Sequence, residues 1–131
     1  MEGTYLETAL QAALQLCDFD FLKNAKVQTF TNGRNLDTIE KTKFLVHKYD
    51  FIQVGFQIDE AWYGCDSKNY VLTSGGAPQG GHAVGICGFD STGFYIFNQW
   101  GNWGAKGFAI MPYDLFLKEL MYGAFLTGIA Y

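Results

Sequence analysis

The sequence has few cysteines and little positive charge, and each scarcity excludes a class of protein. Its three cysteines, Cys17, Cys65 and Cys87, are an odd number, and none belongs to a Cys-x-x-Cys pair. We therefore expect neither a disulfide framework nor a metal site, and no cofactor. Nine Lys and Arg residues against 13 Asp and Glu give a formal net charge of −4, without a basic run between the aromatic residues. This balance argues against a nucleic-acid partner.

The sequence also lacks a long apolar run. A membrane-spanning helix needs about 20 consecutive apolar residues, and no stretch here approaches that length. The first residues, Met1 to Thr4, do not show the basic and then apolar pattern of a signal peptide. We therefore expect no membrane association, and the sequence leaves the compartment open.

Apolar and aromatic residues, by contrast, are abundant. Of the 131 residues, 49% are hydrophobic and 18% are aromatic, which is ample material for one core. We find no internal repeat and no linker. The length and composition indicate a single globular domain or part of one.

Two helices are predicted in the first 50 residues. Thr4 and Glu7 form a capping box before apolar residues at helical spacing, which predicts a helix over residues 4–17. Asp37 opens a second, polar helix that runs to about Lys48, with its lysines late, where the helix dipole favours cations.

From residue 52 the hydrophobic period changes to two, which predicts a half-buried strand over residues 52–58. Residues 60–79 are predicted to be an irregular surface loop of a kind that often carries function. The other predicted elements are strands over 26–31, 82–89, 94–98, 107–111 and 124–131, a short strand over 70–73, and a helix from 112 to about 120 that ends at Gly123. Antiparallel strands with two or three helices and no βαβ rhythm indicate an α+β fold that contains a curled sheet or barrel.

Two polar residues stand at the ends of predicted strands. His82 follows a diglycine and enters an apolar strand, whereas Asn98 ends one and precedes the Trp-Gly pairs at 100–101 and 103–104. Taken singly, each feature has a simple structural interpretation. A histidine beside apolar residues is more often structural than catalytic, and Trp-Gly pairs are typical of a packed turn.

Together, the order, separation and strand context of these motifs resemble the papain-like cysteine peptidases. That family reads His-Ala-Val, then Gly-Tyr, and some ten residues later Asn-Ser-Trp-Gly-x-x-Trp-Gly. This sequence reads His-Ala-Val-Gly-Ile-Cys-Gly-Phe at 82–89 and Asn-Gln-Trp-Gly-Asn-Trp-Gly at 98–104. The resemblance covers nearly the whole chain, strongly over residues 80–114 and loosely before them.

The resemblance implies a catalytic pair, His82 and Asn98, with Trp100 covering their hydrogen bond and Gly81 lining the substrate-binding cleft. In such a site an imidazolium stabilises the nucleophilic thiolate and then protonates the leaving amine. An amide oxygen on the other ring nitrogen fixes the tautomer of the imidazole. We therefore expect His82 and Asn98 to face each other within hydrogen-bond reach, and the implied substrate is a peptide or protein.

The sequence departs from the family at three places. Gln99 stands where the family usually has Ser, and only Asn102 separates the two Trp-Gly pairs. The family's nucleophile precedes everything that is matched here, so the resemblance supplies no cysteine. Cys17 and Cys87 are predicted to be small buried hydrophobic residues, and Cys65 follows a glycine and precedes an acidic residue that raises a thiol pKa. We therefore expect no cysteine sulfur within about 4 Å of the His82 imidazole.

The resemblance implies one partial papain-like domain, with residues 1–25 as a remnant of the helical subdomain and 26–131 as the right-hand antiparallel β-barrel. Its function would be that of the C-terminal portion of a cysteine peptidase, inactive alone or part of a split or longer enzyme. A non-catalytic peptide- or protein-binding module is the alternative, and an unrelated small barrel is a third reading. We also expect an exposed apolar patch near His82 that recruits a complementary N-terminal segment or promotes self-association.

Overall fold

A computed structural model describes residues 26–30 and 36–127, which form an antiparallel sheet with two α-helices on an α+β plan. The elements, in chain order, are β1 (Lys26–Phe30), α1 (Leu36–Tyr49), β2 (Ile52–Asp59), a 3₁₀-helix (Glu60–Gly64), β3 (Pro78–Phe89), β4 (Gly93–Phe97), β5 (Phe108–Pro112), α2 (Tyr113–Glu119) and β6 (Leu120–Thr127). The six strands lie in the order β1-β6-β2-β3-β4-β5, and every neighbouring pair is antiparallel.

The centre of the sheet is the pair β2 and β3. Alternate residues of β2 point into the core, and all four apolar side chains of its period-two pattern are buried: Ile52, Val54, Phe56 and Ile58. In the register of the pair, Phe56 stands opposite His82. The predicted strand over residues 52–58 is therefore confirmed, and it places a fully buried aromatic ring beside the histidine.

Helix α1 covers the sheet through a narrow buried stripe. Thr38, Ile39, Thr42 and Val46 are buried, and the Thr42 hydroxyl donates to the Thr38 carbonyl at 2.8 Å, which satisfies a polar group inside this contact. The helix agrees with the one predicted from Asp37, and His47 near its end is exposed, as expected. Among the described residues, no helix is long and apolar enough to cross a membrane.

The prediction of a surface loop over residues 60–79 is wrong in one respect. The segment begins with the 3₁₀-helix, whose first turn is capped by the Asp59 carboxylate accepting from the Ala61 N–H, and it buries Trp62 and Leu72 almost completely. The predicted strand over 70–73 is reduced to a single bridge between Val71 and Ile110. The reason is the large apolar side chains within this polar stretch. The free energy gained by burying them against β5 and the core outweighs the preference of the polar residues for an exposed loop.

The second correction concerns the start of the last strand. The helix predicted to run to about residue 120 agrees with α2, which ends at Glu119, but the strand predicted from residue 124 already begins at Leu120. Leu120 pairs with Phe56 and Gly123 with Val54, so the chain joins the open edge of β2 about four residues earlier than the sequence indicated. Backbone hydrogen bonds to a central strand are available only through tertiary contact, and helical spacing alone does not show them.

Some predictions lie outside the described residues. The helix over residues 4–17, which carries Cys17, is among them, as is the last part of the strand predicted over 124–131. The division of the chain at residue 25 stays a prediction, and so does barrel closure. The other predicted strands agree with β1, β3, β4 and β5 to within a few residues.

Candidate active site

His82 lies on the inner side of β3, close to the end where that strand begins. Side chains alternate along a strand, and His82 shares its side with Val84 and Ile86, both buried. Because it is nearest the strand's start, its imidazole is only half-buried, whereas the next inward residues are covered. The fold therefore places this imidazole at the rim of the core, where one ring nitrogen can face a cleft.

Asn98 directly follows β4, the neighbour of β3. Its backbone N–H donates to the Gly107 carbonyl at 2.9 Å, which fixes the residue at the strand end, and the whole residue is only 3% exposed. The Asn98 Oδ1 and His82 Nε2 atoms are 2.8 Å apart. The expected hydrogen bond between these two residues is therefore confirmed.

The surroundings of Asn98 determine the protonation pattern of this pair. The Gln99 backbone N–H donates to the same Oδ1 atom at 2.9 Å, and an N–H group requires an oxygen there rather than an amide nitrogen. An oxygen has no hydrogen to give to His82, so Nε2 of the imidazole carries the proton in this bond. In the neutral ring, the lone pair is then on Nδ1.

Aromatic rings enclose the pair. Trp100 stacks on the His82 imidazole with ring centroids 4.5 Å apart and planes 25° apart, and Tyr63 stacks on Trp100 at 5.3 Å. Trp62 approaches the imidazole nearly perpendicularly, at 6.3 Å and 88°, and Trp103 stacks on Trp62 at 5.9 Å. A hydrogen bond is stronger where rings of this kind lower the local dielectric constant. Trp100 thus lies against the imidazole, and its role as the cover of the hydrogen bond stays a prediction.

Trp62 is a residue of this site that the sequence reading missed. It came from a stretch predicted to be a surface loop, twenty residues before His82, and nothing in its spacing connects it with the histidine. The usable signal is that a tryptophan in a polar segment is costly to expose. Glu119 was also missed, because nothing in its spacing connects it with His82 or Trp62. Its carboxylate accepts from the Trp62 Nε1–H at 2.9 Å inside the protein.

The two described cysteines do not supply a thiol to His82. Cys65 is buried rather than at a loop surface, and burial, followed by the charge of Asp66, raises its thiol pKa to about 11. Cys87 is exposed, so its prediction as a buried residue is wrong. Cys87 directly follows the inward-facing Ile86, which places it on the opposite side of β3. There its Sγ–H donates to the Tyr95 carbonyl at 3.7 Å. Burial also raises the pKa of Cys87.

A cleft of about 560 Å³ opens beside the imidazole. Its walls are strand residues of β2 and β3 on one side and the segment after β4 on the other, with Phe51, Gln53, His82, Asn98 and Trp100 among them. Gly81 lies next to it on the exposed side of β3, and a Cβ added there would meet the Met121 sulfur at 3.3 Å. Phe51 and Met121 are each more than two-fifths exposed. This end of the sheet therefore exposes apolar side chains near a cleft that also has polar walls, among them Gln53, His82 and Asn98.

The described residues contain no cluster of side chains that could bind a metal ion. In residues 26–30 and 36–127, no three His, Cys, Asp or Glu side chains come together in a way that could hold a metal ion.

Comparison with known proteins supports the fold. No family model matches the sequence, and no curated protein matches it. Among solved structures, the chain is similar to xylellain, a cysteine protease from Xylella fastidiosa, with a TM-score of 0.60 at 21% sequence identity. The similarity covers 79% of this chain and 40% of xylellain, so the chain spans less than half of that protein's length. The α+β architecture of this chain, with its antiparallel sheet, is thus one that a cysteine protease also has.

Proposed function

We propose that this chain provides the histidine-bearing wall of a papain-like cysteine peptidase, which hydrolyses peptide bonds. The observation that carries the proposal is the 2.8 Å contact between His82 Nε2 and Asn98 Oδ1 beneath Trp100. A buried imidazole with a purely structural role has partners for both ring nitrogens, one as donor and one as acceptor. Here the amide fixes the tautomer, and the other nitrogen belongs to a half-buried ring that lines an open cleft.

In this proposal, each residue has the role that the family resemblance implies for it. His82 takes the proton of a thiol and returns it to the leaving amine. Asn98 holds the imidazole without adding a charge, which leaves the ring able to change its protonation state. Trp100 keeps water from the hydrogen bond, and Gly81 leaves room for a substrate backbone at the rim of the cleft.

The thiol comes, in this proposal, from a segment beyond the 131 residues. Its thiolate attacks the carbonyl carbon of the peptide bond, and the amine leaves with the proton from His82, so that a thioester remains. Water, deprotonated by His82, then hydrolyses the thioester and regenerates the thiol. Such a segment would also cover the apolar surface around Phe51 and Met121, which makes it the expected partner besides the peptide or protein substrate.

Hydrolysis of a peptide amide by the protein in its natural length tests the proposal. Removing the acid/base in His82→Ala is expected to lower kcat/KM by roughly 10²- to 10⁴-fold. The chain has exactly one other histidine, the exposed His47 on α1, so His47→Ala is a matched control and is expected to retain activity. The 131-residue chain alone is expected to show neither turnover nor labelling of Cys65 by a thiol-directed peptide probe.

Two results would contradict the proposal. Equal activity of the His82→Ala and His47→Ala proteins would remove His82 from the chemistry. Peptide binding at the cleft without any turnover by the natural-length protein would favour the alternative, a non-catalytic peptide- or protein-binding module.

A further inference from the structure

Trp62 connects the protein core with the candidate active site. Its side chain is fully buried, and its indole contacts the ring of Phe56 in the core at 6.0 Å and the imidazole of His82 at 6.3 Å. The same indole stacks on Trp103 and meets Trp100 edge-on. The orientation of this one ring therefore determines the shape of the aromatic enclosure around His82.

The polar edge of that indole is held by a carboxylate. Glu119, at the end of α2, is only 3% exposed, and its Oε1 accepts from the Trp62 Nε1–H at 2.9 Å. A carboxylate in such a place is costly, because burial disfavours its charged form. The neighbouring Lys118 ammonium donates to the Ser74 hydroxyl at 3.2 Å instead. The partner that the structure gives this buried carboxylate is thus the indole next to the histidine.

We propose that Glu119 is a positioning residue for His82 and acts through Trp62. The carboxylate fixes the rotation of the Trp62 indole. The His82 imidazole packs nearly perpendicular to that indole, so its position depends on the same rotation. Without the acceptor, a buried indole N–H is left unpaired, and the ring must turn or admit water to satisfy it. Either change loosens the His82 ring and its bond to Asn98. The inference rests on the proposed function only in treating His82 as the reacting group.

The test is nitrogen and proton NMR of the His82 imidazole in the purified chain. Glu119→Leu removes the acceptor at nearly constant volume, and it is expected to speed solvent exchange of the His82 Nε2–H at least about tenfold and to populate the second tautomer. Glu119→Gln keeps an acceptor oxygen and is expected to leave both near their wild-type values. Glu40→Leu, which changes an exposed carboxylate on α1, is the matched control and is expected to change neither.

Each outcome decides the inference. A folded Glu119→Leu protein with unchanged exchange and tautomer at His82 would overturn it. If that variant does not fold, Trp62→Phe removes the donor instead, and unchanged His82 signals in that protein would overturn it as well. Accelerated exchange in Glu119→Gln, the variant that keeps the acceptor, would also count against it. Since no readout needs turnover, absence of peptidase activity would refute the proposed function and leave this result intact.

Discussion

The two ends of the β3–β4 hairpin hold their polar groups in different ways. At the His82 end, an imidazole and an amide separated by 16 residues meet beneath tryptophan rings. At the turn end, the exposed Asp90 carboxylate accepts from the Thr92 and Gly93 backbone N–H groups and from the Tyr95 hydroxyl. One end is assembled from distant parts of the chain, and the other closes on itself within five residues.

The two ends also differ in what surrounds their polar groups. The turn satisfies backbone donors in water with a nearby side chain, which is what a turn requires. The His82 end places a titratable ring in a partly dry environment with its tautomer fixed and a cleft of about 560 Å³ in front of it. Of the two arrangements, the second is the one that lines a cleft.

Replacing a glycine by alanine at each end of the hairpin, Gly93 at the turn and Gly81 near His82, should give the largest difference in stability between the two ends. A Cβ at Gly93 would lie 2.1 Å from the Met111 carbonyl oxygen, so the backbone of β5 must move, and Gly93→Ala is expected to cost roughly 1–3 kcal/mol of unfolding free energy. At Gly81 the methyl group meets only the flexible Met121 side chain, and the cost should stay under about 1 kcal/mol. Urea unfolding of the two variants measures both. Equal losses would mean that the His82 end is as tightly packed as the turn.

The same contrast explains how much the sequence could predict. The turn at residues 90–93 follows from local residue types, and the strands on both sides follow from apolar alternation, because such signals act over a few residues. The pairing of His82 with Asn98 was predicted only through a family resemblance, since the two residues are brought together by strand register.

The contributions of Trp62 and Glu119 were not predictable in this way. Their contact joins positions 57 residues apart, and no local residue pattern shows which distant side chains meet. The exposure of Cys87 was missed because a cysteine within an apolar strand gives no sign of which side it faces until the neighbouring inward residues are known.

Acidification should change the stability contributions of Glu119, near the His82 end, and Asp90, at the turn end, in opposite directions. Burial raises the pKa of Glu119, with the charge of Asp59 adding to it and the Trp62 hydrogen bond and Lys118 opposing it. The stability linked to this group is therefore present at low pH and is lost as pH rises through the raised pKa. Hydrogen bonds from Tyr95 and then Thr92 lower the pKa of Asp90, so its contribution is present at neutral pH and is lost as pH falls through the lowered pKa.

Unfolding free energies measured between about pH 2 and pH 7 check these signs. The stability of Glu119→Gln relative to wild type should fall on acidification, because the wild-type protein loses its buried charge. The deficit of Asp90→Asn should shrink over the acidic part of the range, as wild-type Asp90 becomes protonated. If the stability difference between either variant and wild type changed with pH in the opposite direction, the direction of the pKa shift given for that carboxylate would be wrong.

Alkylation of the cysteines should have the smallest effect on the fold. It also tests directly whether a cysteine of this chain can act as the nucleophilic thiol. Cys87 is exposed on the far side of β3, whereas Cys65 is buried with its pKa raised to about 11, so that roughly one thiol in a thousand is ionised at about pH 8. Iodoacetamide should therefore modify Cys87 at least about tenfold faster than Cys65 and leave the circular dichroism unchanged, with peptide mapping to resolve the sites. Faster modification of Cys65 would place a reactive thiol near the tryptophan-covered end of the hairpin, and the nucleophile would then have to be sought within this chain.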